Sequence, residues 1–343
     1  MSKTIELDGS FGEGGGQILR TSLALSLITG KPFHLRKVRA GRDRPGLQPQ
    51  HLMSVKAAAE IGQARLRGAS LGSSDLVFEP GQVSPGNYRF AIGTAGATSL
   101  VLHTVYLPLV LGGEESRITI EGGTHVKASP CAHFLQRTWS AYLRALGVSV
   151  EVSVDRLGFY PRGGGCLRVR IAPAAKIQSF QGITTDAISK ASVVSMVAGL
   201  PRHVAERQMN QAESRLSDLG LEVDARMETG QGGPGCMLGI ALPTEPAATF
   251  FFGLGEKGKP AERVADEAVD QVVTFLASQP LGVDEHSADQ IVLPLALAEG
   301  PSQFRVSAVS SHLLTNIAVI RQFLDRTISC EEPEGSSGVV KMD

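Results

Sequence analysis

Paired cysteines are missing. The four in this 343-residue sequence, Cys131, Cys166, Cys236 and Cys330, stand far apart with no C-x-x-C, which argues against a zinc site or a disulfide framework and for a reducing compartment. Excess charge is missing as well. With 33 Lys+Arg against 34 Asp+Glu the formal net charge is -1, so any contact with nucleic acid has to come from a local basic patch. No apolar segment opens the sequence, and without another targeting signal the expected location is cytoplasmic, or nuclear. One uncharged run, Phe90 to Gly113, has the length of a membrane span, but it opens on Gly93, Thr94, Gly96 and Thr98 and carries His103. It reads as strand, turn and buried helix. A composition 42% hydrophobic and 20% charged excludes collagen, a disordered tail and a coiled coil, and leaves room for about two domains.

Glycine is what the chain has in plenty. Thirty-nine glycines, many of them clustered, call for tight turns or close backbone approach in several places. Strict alternation marks half-buried strands at Val148–Val154 and Leu167–Ile171, and helical periodicity marks amphipathic helices at Leu19–Leu27, Phe134–Leu146, Ala205–Leu219 and Leu313–Leu324. Three times a strand runs through a Gly- or Ser-rich turn into a helix: Ile5–Leu7 into Gly9–Gly16, Tyr88–Ile92 into Gly93–Ala97, and Phe304–Ser307 into Ser310 and Ser311. The stretch from Thr184 to Gln279 breaks this rhythm with strands of its own (Ser192–Ala198, Leu221–Arg226, Ala248–Phe252) and two helices. The expectation is therefore an α/β protein in which a large domain of repeated βαβ-type units, residues 1–183 and 280–343, receives a smaller α/β domain at 184–279.

Several segments carry chemistry. Gly9 to Gln17 sits between strand and helix, where bare N–H groups hold an anion, and Glu13 within it fits a metal-bridged phosphate as well as it fits a solvated turn. Lys31, Arg36, Lys37, Arg39, Arg42 and Arg44 meet one acid, Asp43; that patch suits a phosphodiester, with a solvated strand edge as the plainer alternative. Gly253 to Lys259 fits G-x-x-x-x-G-K, but Pro260 stands where a P-loop needs a hydroxyl for magnesium. His312 falls in the first turn of a helix, where the macrodipole lowers its pKa and leaves it neutral and nucleophilic, unless it merely caps or packs.

Taken together, Gly12-Glu13-Gly14-Gly15-Gly16-Gln17-Ile18-Leu19-Arg20, Arg39-Ala40-Gly41-Arg42, Gln50-His51, Gly158-Phe159-Tyr160-Pro161 with Gly163-Gly164-Gly165, Ala288-Asp289-Gln290 and Ser311-His312-Leu313-Leu314-Thr315-Asn316 closely resemble the RNA 3'-terminal phosphate cyclases, from about Ile5 to about Phe323. The resemblance implies enolpyruvyl-transferase-like repeats with an inserted domain, ATP and a divalent cation (Mg2+ or Mn2+) as cofactors, and an RNA 3'-phosphate end as substrate. It implies that His312 attacks the α-phosphorus of ATP, that AMP passes to the RNA phosphate, and that the vicinal 2'-hydroxyl closes the 2',3'-cyclic end. It also assigns Glu13 to the metal. His103, Pro130, His286, Ser287, Ala288, Asp289 and Gln290 fall to the nucleotide, and Arg20, Arg39, Arg42, Gln50 and His51 to ATP phosphates or the RNA end. Two positions depart from the family pattern: His103 stands in place of Gln, and Leu157 in place of Arg or His. An inert cyclase-like ribosome-assembly factor is the alternative, and it lacks the nucleophile that His312 supplies. Enolpyruvyl transferases rank last, since the His312 and His51 motifs have no role there. A homodimer is left open.

Overall fold

Parallel strands need a crossover helix between them, and the loops that enter those helices are where this chain puts its glycines. The computed structural model describes residues 3–182 and 187–343. Its first unit runs β1 (Ile5–Asp8), α1 (Gln17–Thr29), β2 (Phe33–Arg36), α2 (Pro49–Ile61), β3 (Arg65–Arg67) and β4 (Asp75–Glu79). β1 and β2 are parallel, β4 is antiparallel to β2 and β3, and the order across the sheet is β1-β2-β4-β3. The second unit repeats the pattern with β5 (Asn87–Ala91), α3 (Thr98–Val110), β6 (Ser116–Gly122), a composite helix, β7 (Val150–Arg156) and β8 (Gly165–Ile171), in the order β5-β6-β8-β7. Its composite helix starts as α4 (Ala132–Phe134), widens into a π turn at Leu135–Trp139 and closes as α5 (Ser140–Ala145).

The uncharged run resolves into the end of β5, a turn and α3, of whose 13 residues all but His103 are buried. α3 packs against both α1 and α2, so it is apolar all round and shows no amphipathic stripe. Each buried Leu or Val there contributes about 1.5–3 kcal/mol.

Next come β9 (Lys190–Ala198), α6 (Arg202–Asp218), β10 (Glu222–Gly230), β11 (Gly235–Leu242), β12 (Thr249–Leu254) and α7 (Ala261–Ala277), which make a sheet of order β10-β9-β11-β12. One face of it buries Val193, Leu238, Ile240 and Phe251 with residues of α6 and α7, while Val194, Met196, Met237 and Phe250 join the main core. The expected lower boundary of this part, Thr184, lies outside the described residues.

The last unit contains α8 (Glu285–Ala296), β13 (Ser302–Val306), α9 (Ser311–Phe323), β14 (Ile328–Ser329) and β15 (Gly338–Met342), in the order β13-β15-β14. Its first strand has shrunk to one parallel bridge, Val283 to Val306, held by Val283 N–H to Arg305 O (2.9 Å) and Ser307 N–H to Val283 O (2.8 Å). The turn before α9 therefore belongs to the second crossover of its unit, equivalent to the entries of α2 and α4 and not to those of α1 and α3. Each of these second helices carries a histidine in or beside its first turn: His51, His133 and His312. Among the described residues, no helix is long and apolar enough to cross a membrane.

Candidate active site

Ser310 caps α9 in extended conformation (φ -94°, ψ 153°), its Oγ accepting from Leu313 N–H at 3.1 Å. That cap fixes the first turn so that Leu313 and Ile317 enter the core while His312 stays half-buried at the rim. Nδ1 of His312 is enclosed without a hydrogen-bond partner, which leaves Nε2 as the nitrogen a ligand can meet. Burial is the main reason the imidazole is held below its ordinary 6.5; Arg20, Arg42 and His286 push in the same direction and Glu13 opposes them. The shift thus has burial and neighbouring side-chain charges behind it, where the sequence pointed to the helix start.

One turn further on, α9 grips the glycine loop. Thr315 Oγ1 accepts from Glu13 N–H at 3.2 Å. Gly12 lies at φ +58°, and a Cβ there would strike the same hydroxyl. Buried Asn316 ties three helices together: its Oδ1 accepts from Gln17 Nε2 (2.8 Å) and Thr21 Oγ1 (2.6 Å) on α1, and its Nδ2 donates to Asp289 O (2.9 Å) on α8. Gln17 Oε1 in turn accepts from Arg20 Nη2 at 2.7 Å. Gly16 is bare for a visible reason, since a Cβ on it would sit 2.6 Å from both Arg20 Nη1 and His51 Nε2. His51 is pressed down to about 3, by burial first and by Arg20, Arg39 and Arg42 after it, and is neutral. The sequence missed the Asn316 clamp; its signal was a polar residue inside the apolar stripe of Leu313, Ile317 and Ile320.

Of the residues expected on phosphate, Arg20, Arg42 and His51 converge on this loop. Arg42 pairs with Glu13, whose other oxygen accepts from Gln17 N–H at 3.1 Å. Two others are held by loop backbone. Arg39 Nη1 donates to the carbonyls of Arg44 (2.6 Å) and Gly46 (2.9 Å), and Gln50 Oε1 accepts from Ala97 N–H (2.9 Å). Among the described residues no group of three or more His, Cys, Asp or Glu is arranged to hold a metal ion. Glu13 is a single carboxylate beside Arg42 and the glycine loop, which by itself falls short of the ligand set of a resident divalent cation.

Beneath the loop, a cavity of about 30 Å³ is lined by Arg20, His103, Trp139, Asp289 and Gln290, among others. Burial raises Asp289 to about 7 against the opposing pull of His286, Gln290 and Arg20. Burial and Arg20 lower His103 to about 3. Asp284 caps α8 by accepting from the N–H groups of His286 (3.1 Å) and Ser287 (2.9 Å). Ser287 and Ala288 are buried and hold the helix start, whereas exposed His286 lines a second cavity of about 250 Å³ with Phe251, Phe275, Ser307 and Ala308. Pro130 stands at the entry to α4 and lines neither cavity.

The G-x-x-x-x-G-K segment spends its lysine on structure. Lys259 Nζ donates to Leu254 O (2.9 Å) and pairs with Glu267 (2.9 Å) and Glu256 (3.0 Å). Lys259→Ala is expected to leave label transfer from α-labelled ATP near the wild-type level and to cost about 1.5–3 kcal/mol of stability, the worth of a charge-assisted hydrogen bond from a largely buried ammonium; a loss of labelling as deep as that of a nucleophile mutant would restore the P-loop reading.

Residues 11–330 match the family model described as RNA 3'-terminal phosphate cyclase. The chain belongs to the RNA 3'-terminal phosphate cyclase family. It is 43% identical to the RNA 3'-terminal phosphate cyclase of Salmonella typhimurium over 334 residues, covering 97% of each chain. To that of Koribacter versatilis it is 42% identical over 338 residues, covering 98% of this chain and 94% of the other. Among solved structures, EPSP synthase from Acinetobacter baumannii matches with a TM-score of 0.29 and 12% identity, over all of this chain and 65% of that one. The span matched by the cyclase family takes in the glycine loop, the α2 and α8 entries and His312.

Proposed function

We propose that the chain converts an RNA 3'-terminal phosphate to a 2',3'-cyclic phosphodiester at the expense of ATP, with His312 as nucleophile. The observation that carries this reading is a neutral, half-buried imidazole with Nδ1 enclosed, facing a glycine loop where Arg20 and Arg42 gather. Nε2 forms a bond to the α-phosphorus as the bond to pyrophosphate breaks; an RNA phosphate oxygen then takes AMP from the histidine. The 2'-oxygen attacks the activated phosphorus, its proton goes to solvent and AMP leaves. Arg20 and Arg42 offset charge on the phosphates, and a divalent cation held by Glu13 would add Lewis-acid polarisation. Free thiols at all four cysteines suit a reducing compartment such as the cytoplasm. Incubation with α-labelled ATP followed by denaturing electrophoresis tests the first step, and conversion of 3'-phosphorylated RNA tests the last; a chain that takes no label and leaves that RNA unchanged would refute the proposal.

Burial and, after it, the local charges set the pH profile. Because His312 is held below 6.5, its neutral form persists as the pH falls through the range where a free histidine protonates, so labelling should hold there and fall at lower pH. Arg42→Ala removes a cation that lowers this pKa and should move the acid limb to higher pH; Glu13→Ala removes an anion that raises it and should move the limb lower. Single-turnover label transfer as a function of pH reads both shifts, and a limb unmoved in either variant would separate His312 from these charges.

A further inference from the structure

We infer that the RNA strand upstream of the reacting end runs over the loop at 158–164, where Tyr160 stacks on a nucleobase and Arg162 contacts a backbone phosphate. The inference rests on the RNA reading above and extends it to residues with no part in the chemistry. Among the described residues the exposed large hydrophobic side chains include two aromatics, Phe11 at 56% and Tyr160 at 77% exposure. An aromatic ring left in water beside an unpaired cation is the equipment of a single-strand binding surface, because every base offers a π-face and every linkage a negative charge.

Both rings stand on loops that connect to the reaction site. Phe11 precedes Gly12, which packs on Thr315 one turn from His312. From His51 the route passes to its neighbour Gln50, which accepts from Ala97 N–H (2.9 Å). The same turn, at Thr94 and Ala95, is covered by Gly163, where a Cβ would lie 2.7 Å from Ala95 Cα. Gly163 N–H closes its own loop on Phe159 O (2.7 Å) and leaves Tyr160 and Arg162 outside, one residue apart. Unpaired charge accompanies both loops. In a chain of net charge -1, Arg44 and Arg162 are exposed and have no acidic partner among the described residues. The cavity beside His286 is lined instead by the exposed carboxylates of Asp270 and Glu285, which disfavour a polyanion.

The test compares two 3'-phosphorylated RNAs at saturating ATP, a dinucleotide and an oligonucleotide of about ten residues, a length within the range of single-strand sites. The wild type should show a lower KM for the longer RNA. In Tyr160→Ala/Arg162→Ala that KM should rise about tenfold, toward the dinucleotide value, as expected from loss of one stacked base and one phosphate contact. Turnover of the dinucleotide and RNA-free labelling by ATP should stay unchanged, and Tyr160→Phe, which keeps the ring, should keep the advantage of length. A wild type indifferent to length, a double variant that retains the advantage, or one that loses equally on both RNAs would overturn the inference. Failure of the catalytic reading is separate, since a wild type that takes no label from ATP betrays it before any RNA is added.

Discussion

His312→Ala is expected to take up no label from α-labelled ATP while melting close to the wild-type temperature. The side chain stands half-exposed at the rim of α9, so its loss opens no core cavity, and the cap at Ser310 and the clamp at Asn316 do not depend on it. In the wild type the label should be acid-labile and stable in alkali, as a phosphoramidate is. The equivalent histidine of the second unit makes the control. His133 is committed on both sides, Nδ1 to His125 Nε2 at 2.8 Å and Nε2 to Glu228 at 3.2 Å, and Glu228 is pulled down to about 2, mainly by that bond. It has no free nitrogen for phosphorus. His133→Ala should keep labelling while losing stability, because it strands buried His125 and takes one partner from the half-exposed Glu228. Undiminished labelling in His312→Ala would remove that residue from the mechanism.

The contrast between these histidines explains how much the sequence disclosed. Elements whose apolar positions alternate or recur every third or fourth residue were legible: β7, β8, α1, α6 and α9 all stand where the pattern puts them. Elements buried on both faces were harder, because burial erases the pattern. All eight residues of β11 are buried, and so its position went unread. Motif residues gave the location of the site but not their roles. Arg20 and Arg39 look alike in a sequence, yet one lies buried over Gly16 and the other is consumed by the carbonyls of its own loop. Which arginine is free to meet a ligand depends on backbone carbonyls brought close by folding, and no local spacing encodes that. The three-unit repeat was legible as a rhythm but not in its phase, because the first strand of the last unit is reduced to the bridge at Val283.

RNA ending in a 3'-phosphate should be consumed, RNA ending in a 3'-hydroxyl should not, and a 3'-phosphate on a 2'-deoxy end should stall as the RNA-adenylate. The physical basis is the poverty of general attraction: a net charge of -1 gives little nonspecific pull on a polyanion, so recognition of the end falls to the few cations gathered at the glycine loop. Arg20 is buried there and lowered to about 10 by that burial, and it remains charged at neutral pH. A terminal phosphate restores to it the partner that desolvation has taken away, whereas a 3'-hydroxyl brings neither the charge nor an oxygen able to accept AMP. Activation and ring closure are separable because the attacking oxygen belongs to the substrate. Removing it should leave AMP transfer intact and block the last bond alone. Arg42→Ala should weaken the RNA stage by the worth of a charge-assisted hydrogen bond, about 1.5–3 kcal/mol, or roughly tenfold and more. Gel separation of labelled protein, RNA-adenylate and cyclic product reads every arm at once, and equal consumption of 3'-phosphate and 3'-hydroxyl ends would sink the cyclase mechanism.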